Sequence, residues 1–434
     1  MEFKKIILEN CVNDIIDYRG KTPKKLKGEW NEKGTFRAVS AKNIKNMQLV
    51  NLESLKKVDN ELYKKWMKKE VSKNDILLTS EAPLGESLFW DSDEKIVLSQ
   101  RVFGLKPNTD IVNPKYLFAY LQTPKFKHEL TSRESGTTVT GIRRKELEKT
   151  IIEVPSQNIQ KFIGDLFYIT NKKIKNNQNI IANLEELSQT LFKHWFVDFE
   201  FPDENDNPYK SSGGEMIDSE LGEIPERWSL GNFENLGKIV GGGTPSKKVS
   251  EYYTKQKEIP WITPKDLSKN KNTYIYHGEQ DITELGLNKS SAKLINKDSV
   301  LFSSRAPIGY IAIAGQEVTT NQGFKSIEVD KNINPYYVFF LLKYKLPIIE
   351  QTASGSTFKE ISGKGMKSIP IILPIIETIN KYGNIVESYF EKIKVLEKEN
   401  QKLIQLRNTL LPKLMSGEIE IPDDIEVNKD ELSI

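Results

Sequence analysis

Two stretches far apart in this chain, 156–200 and 375–419, carry the same apolar pattern at one constant offset. Adding 219 places Ile174, Leu184, Leu187 and Leu191 on Ile393, Leu403, Leu406 and Leu410, and Asn177 on Leu396. The apolar positions recur at three- and four-residue intervals, which is helical spacing. Each stretch follows a related run at the same offset, SGTTVTGIRRKELEKTIIEVP ending at Pro155 and SGSTFKEISGKGMKSIPIILP ending at Pro374. The spacing predicts a tandem repeat of globular unit, helix, globular unit, helix.

Written as heptads, Ile174, Ile181, Ser188 and Trp195 fall on one seam position and Asn177, Leu184 and Leu191 on the other. In the second helix Ile393, Asn400, Arg407 and Leu414 fall on the first position, and Leu396, Leu403 and Leu410 on the second. These are matched coiled-coil stripes. The polar members Asn177, Asn400 and Arg407 lower stability and fix register. Two ordinary amphipathic core helices are the alternative, but their shared length and phase argue against it. At about 1.5 Å per residue, roughly 36 residues make a rod of about 54 Å, longer than one small core needs. Ser156 reads as the N-cap of the first helix. Pro412 is expected to interrupt the second near its end.

The repeat sets the expected boundaries: globular units at 1–155 and 227–374, long helices at 156–200 and 375–416, a polar linker at 201–226 and an acidic tail at 417–434. The fold class is α+β. In the first unit DILLTS and KIVLSQRVFGLKP read as short strands closed by turn residues, and PKYLFAYLQTPKF has helical spacing. The second unit answers segment by segment. VSKNDILLTSEAPLGE matches INKDSVLFSSRAPIGY, SQRVFGL matches NQGFKSI, and NPKYLFAYL matches NPYYVFFLL. Loops between the matched segments differ, which implies one task performed on two targets. In the linker, Asp203, Asn205 and Asn207 imitate the opening of a calcium loop, but Pro208 and Gly214 stand where that loop needs Gly and Glu.

At 434 residues the chain is long enough for two or three cores. Its +3 charge is the residue of 63 basic and 60 acidic groups, with acids concentrated in the linker and the tail. The globular units are therefore more basic than the average. One cysteine, Cys11, leaves no internal disulfide framework and suits a reducing cytoplasm. A short, polar N-terminus and the lack of roughly 18 uninterrupted apolar residues point to a cytoplasmic protein with no membrane partner.

Catalytic patterns are missing. GGGTP at 241–245 lacks the order of a phosphate loop and reads as a tight turn. NPKY and NPYY are similar to the NPPY site of amino-methyltransferases but stand at helix starts without a partnered cofactor loop. His128, His194 and His277 lie outside any metal spacing, so neither a catalytic nor a metal site is expected. What recurs on the loops is basic, amide and hydroxyl side chains suited to phosphates and base edges. In the first unit these are Lys21, Thr22, Lys24, Lys42, Gln100, Arg101, Thr137, Thr138, Arg143 and Arg144. In the second they are Thr244, Lys247, Lys248, Lys265, Arg305, Gln322, Lys325, Ser356, Thr357 and Lys359. Arg101, Gln322 and Arg305 follow strands and stand out.

GGGTPSKKVSEYY, IPWIT, LFSSRAPIGYIAIA, NQGF, LFKHWFVDFE, LGEIPERW and LLPKLMSGEI, in this order with the repeat and the helices, resemble the DNA-specificity subunit of type I restriction-modification systems. The resemblance spans essentially the whole chain. It implies two target-recognition domains, each reading one half of an interrupted asymmetric site in double-stranded DNA, and two helices paired as an antiparallel coiled coil with a pseudo-twofold relation. It also implies two methyltransferase subunits as partners and, optionally, motor-nuclease subunits. S-adenosylmethionine and ATP with magnesium are then expected on those partners, with no cofactor in this chain. A DNA-binding scaffold without methyltransferase partners is the alternative, and an autonomous methyltransferase or nuclease the third reading.

Overall fold

The computed structural model describes residues 2–136, 140–270, 272–355 and 359–422. Thr137, Thr138, Ser356 and Thr357 lie outside the described residues, as does most of the acidic tail. The chain divides into two compact units, Met1–Lys175 with Gln401–Ile434, and Asn176–Asn400. The division falls within both long helices, Gln157–Phe196 and Ile376–Ser416, so each unit takes a stretch of each.

In the first unit a four-stranded antiparallel sheet runs in the order Val12–Asp17, Val102–Pro107, Ile76–Thr79, Ser87–Phe89. The strand Ile76–Thr79 is buried along its whole length. Its side chains alternate between two cores. Ile76 and Leu78 join Tyr116, Leu117 and Phe167, while Leu77 joins Val39, Trp66 and Leu98. Asn113 caps the helix Pro114–Tyr120 through the amides of Lys115 (2.9 Å) and Tyr116 (3.3 Å). Thr123 then caps a second helix, Pro124–Ser132, so the run read as one helical segment is two. The long helix packs Ile159, Ile163 and Phe167 on this core. Its Gly164 passes so close to the capped helix that a Cβ there would lie 2.6 Å from the Tyr116 nitrogen.

The second unit repeats this order. Gly237–Gly241, Lys325–Val329, Val300–Ser304 and Ile308–Ala314 are neighbours in turn, and Tyr274–Ile275 adds a fifth, parallel strand at the edge. Val300 and Phe302 face the helix-side core, and Leu301 the other. Asn334 caps the helix Pro335–Thr352, and Gly383, the counterpart of Gly164, would place a Cβ 2.3 Å from the Asn334 side-chain nitrogen. The helix-side core is aromatic. Phe192, Trp195 and Phe196 meet Tyr337 and Tyr382, and Tyr336 stacks on Phe390 at 4.0 Å between centroids.

The long helices run in opposite directions where they meet inside the second unit. Asn177 donates to Asn400 Oδ1 (3.0 Å) and Glu399 (2.7 Å), and further along Tyr382 donates to the Ser188 carbonyl (3.0 Å). Ile393 and Leu396 are buried here, with Ile181, Leu184 and Leu191 partly buried against the same core. In the first unit Ile174 is buried, Arg407 donates to Asn171 Oδ1 (2.7 Å), and burial lowers the Arg407 pKa. Leu403 and Leu410 are half-buried there. Leu187 and Leu406, which share the apolar pattern, are instead 56% and 51% exposed.

Two further sequence expectations are corrected. Pro412 does not interrupt the second helix, which continues to Ser416. The turn survives the missing amide because Leu411, Leu414 and Met415 are all buried in the first unit's core. The segment expected as a polar linker is folded. Met216–Ile217 pairs with Ile224–Pro225, and Phe201 stacks between Tyr209 (4.6 Å) and Trp228 (4.9 Å).

A buried carboxylate ties the second long helix to the edge strand. Glu397 accepts the amides of Thr273 and Tyr274 (the latter at 3.2 Å), and Glu185 accepts the Thr273 hydroxyl. Burial, and less strongly Glu185, pushes the Glu397 carboxyl up to about 7 from an ordinary 4.5, against the pull of those amides. The unfolded chain therefore releases this proton first, and the unit loses stability as pH rises from about 4.5 to about 7. Glu397→Gln is expected to remove that slope. Urea-unfolding midpoints of both proteins across this range measure it, and parallel curves would contradict the assignment.

Candidate nucleic-acid interface

Each globular unit holds one turn in place with a hydroxyl. In the first, Thr79 Oγ1 donates to the Pro83 carbonyl (2.5 Å) and accepts the Glu86 amide (2.9 Å). In the second, Ser303 Oγ donates to the Pro307 carbonyl (2.9 Å) and accepts the Tyr310 amide (2.8 Å). Both turns contain a cis Ala-Pro bond, Ala82–Pro83 and Ala306–Pro307.

The backbone beside each turn draws two further segments to it. Ser80 donates to the Arg101 carbonyl (2.9 Å) and Ile142 to the Ser80 carbonyl (2.9 Å); Ser304 donates to Gly323 (2.8 Å) and Ile361 to Ser304 (3.0 Å). Loops 135–141 and 354–360 are closed alike, by paired bonds between Ser135 and Gly141 and between Ser354 and Glu360. Residues 80–81, 100–101 and 141–143 therefore converge in one unit, and 304–305, 322–323 and 360–361 in the other.

Many of the residues singled out by sequence stand at or beside these sites. Arg101 Nε faces Glu81 at 3.0 Å, and the Ala41 amide donates to the Gln100 carbonyl (3.2 Å), bringing in the turn that carries exposed Lys42. Arg143 is exposed at the start of the short helix Arg144–Glu148. In the second unit Arg305 pairs with Glu360 (3.3 Å), Lys325 reaches the same carboxylate (3.6 Å), and Thr244 hydrogen-bonds Gln322. Lys359 is exposed in the adjoining loop.

Others are committed elsewhere or stand apart. Lys21 turns inward: its ammonium donates to the Trp66 carbonyl (2.8 Å) over the Tyr18 ring, and burial lowers its pKa. Arg144 is held by Glu148 (2.7 Å). Lys265 shares Glu279 with Lys269 (3.0 and 2.9 Å), and hydrogen bonds from Lys269 and Lys265 hold that carboxyl at about 2. Thr22 accepts the Lys25 amide (3.3 Å) in a separate turn that exposes Lys24, while Lys247 and Lys248 are exposed after GGGTP. That glycine turn is tied down by Trp261, whose indole donates to the Gly243 carbonyl at 3.0 Å.

Sequence reading missed three charged residues. Arg19 pairs with Asp17 (2.8 Å), covers the Phe103 ring and donates to the Ile142 carbonyl (3.1 Å). Glu81 and Glu360 are the acidic partners of Arg101 and Arg305. A signal was available, because all three sites involve repeat-matched positions whose charges change between the copies.

The model of the type I restriction modification DNA specificity domain matches twice, over residues 9–186 and 225–405. The chain belongs to the type I restriction-modification DNA-specificity family. Members of this family are recognition components and not the catalysts of their systems. The chain is similar to the MjaIX specificity subunit of Methanocaldococcus jannaschii, 36% identical over 191 residues, a match covering 44% of each chain. It is 27% identical over 409 residues to the HindI specificity subunit of Haemophilus influenzae, covering 81% of this chain and 88% of that one. The crystal structure of a type I S subunit from M. genitalium shares the fold, with a TM-score of 0.63 at 16% identity over 98% and 97% of the two chains. Among the described residues no helix is long and apolar enough to cross a membrane.

Arg101 adopts φ +66°, a left-handed conformation that costs a non-glycine residue about 1–2 kcal/mol, and the matching position in the second unit is Gly323. Its ion pair is partly exposed and contributes at most about 1 kcal/mol. Arg101→Gly should therefore leave stability unchanged or raise it by up to about 1 kcal/mol, as thermal or urea unfolding would show. A loss above about 2 kcal/mol would mean that this arginine holds the fold.

Proposed function

We propose that the chain is the sequence-reading subunit of a type I restriction-modification complex, with each globular unit reading one half of a bipartite asymmetric DNA site. The observation that carries this reading is the recurrence of one strand order and one set of turn hydrogen bonds around differing side chains. A shared frame accounts for a shared task, and differing polar groups account for unlike half-sites.

The two long helices act in this reading as an antiparallel coiled coil that gives the chain a pseudo-twofold relation and sets the distance between half-sites. The opposed pairing of Asn177 with Asn400 and of Ser188 with Tyr382 supports the antiparallel sense. Half-sites about one turn apart, roughly 34 Å, lie within the reach of a helix of 40 residues. The partners are double-stranded DNA and two methyltransferase subunits, with motor-nuclease subunits in a full restriction complex. S-adenosylmethionine and ATP with magnesium belong to those subunits, and the complex works in the cytoplasm.

Exchange of residues 1–155 for the corresponding unit of a relative, chosen to keep the surface facing Leu411, Leu414 and Met415, tests the division of labour. Long-read mapping of methylated adenines should show one half of the motif replaced and the other retained. Replacement of both halves, or of neither, would defeat the two-reader account. Failure to copurify with any methyltransferase subunit would favour a stand-alone DNA-binding scaffold.

A further inference from the structure

We propose that three repeat-matched positions in each unit form a carboxylate-oriented guanidinium site for the O6 and N7 edge of a guanine, filled in a different permutation in the two units. The inference rests on the DNA-reading function above and adds which side chain reads and which one holds it.

The positions are defined by backbone, not by side-chain likeness. The first follows the serine beside each turn and is Glu81 or Arg305. The second is the residue whose carbonyl accepts that serine's amide, Arg101 or Gly323. The third lies directly across an antiparallel bridge from the first, Gly141 opposite Glu81 and Glu360 opposite Arg305. One unit therefore carries Glu, Arg and Gly in this order, and the other Arg, Gly and Glu.

Gly141 makes room for its neighbour, since a Cβ there would lie 2.8 Å from Glu81 Cβ, whereas a Cβ on Gly323 would meet Arg305 Cγ at an ordinary contact distance of 3.6 Å. All three side chains differ between the copies, yet each site keeps one carboxylate, one guanidinium and one glycine. An incidental surface pair has no reason to survive such a change.

The chemistry selects the ligand. Arg101 meets Glu81 through Nε at 3.0 Å, which turns the two Nη groups into the edge that can donate to O6 and N7 together. Arg305 meets Glu360 through Nη1 at 3.3 Å. The arginine side chains are 46% and 35% exposed, within reach of a groove. A carboxylate beside a guanidinium repels a phosphate more strongly than the uncharged O6 and N7 edge, and it restricts the side chain before DNA arrives; beside Glu360, Lys325 at 3.6 Å offsets part of that repulsion. Glu81 and Glu360 are thus positioning residues. The guanidinium comes from a loop in one unit and a strand end in the other, so the permutation gives the two readers different geometry.

Selection of bound sequences from a random duplex library tests this, using the full chain with whatever modification subunits copurify. The wild type should yield a bipartite motif. Arg101→Gly, which the strained backbone tolerates, should reduce preference for one G·C pair in one half roughly 10- to 100-fold and leave the other half intact. Arg305→Gln should do the same in the other half. Arg101→Lys should not restore the preference, since an ammonium keeps the charge without the paired edge. Glu81→Gln should weaken the same preference while tightening binding to unrelated duplexes. If the wild type selects a bipartite motif that Arg101→Gly leaves unchanged, or weakens equally for every sequence, the guanine site is wrong and the DNA-reading function stands. If the wild type selects no motif, both fail.

Discussion

The buried hydrogen bond between Asn177 and Asn400 sets the terms on which the long helices can pack. Both amides are almost wholly buried, 2% and 7% exposed, and a slip of either helix would leave them unpaired. An orphaned buried amide costs about 1–3 kcal/mol, a substantial fraction of a domain's net stability. Apolar seam residues such as Ile393 and Leu396 would accept several registers, because burial is not directional. The polar pair accepts one. Arg407 and Asn171 do the same in the first unit, where burial of the guanidinium makes its carboxamide partner necessary.

With register fixed, the helix ends complete the cores. Leu411, Leu414 and Met415 enter the first unit's core from the last turns of the second helix, and Trp195 and Phe196 enter the second unit's core from the first helix. Neither core is built from one contiguous stretch of sequence alone. This explains why Pro412 is tolerated inside a helix and why Gly164 and Gly383 stand where each long helix meets a capped shorter one. The sheet that carries each turn rests on the same helices.

The long helices and the shared strand order of the two units were legible because periodicity is a local property that survives divergence. Ser188 and Trp195 were placed on the seam from spacing alone and are buried. The interface was less legible. Lys21 and Lys265 look like free cations in sequence, yet Trp66 and Glu279 engage them through contacts that no spacing rule encodes, whereas Arg144 and Glu148 form an i,i+4 pair that helical spacing could have revealed. Pro412 was misread because a propensity was weighed without the burial that overrides it. Glu81 and Glu360 escaped notice because the search was for positive charge, and the informative feature was charge moving among matched positions.

The central claim is that one chain holds two readers with separate targets. Genome-wide mapping of methylated adenines in a host carrying this chain and the methyltransferase subunits proposed as its partners tests it most directly. The account predicts a motif of two unlike specified blocks separated by unspecified bases. A single continuous motif, or two identical inverted blocks, would contradict it.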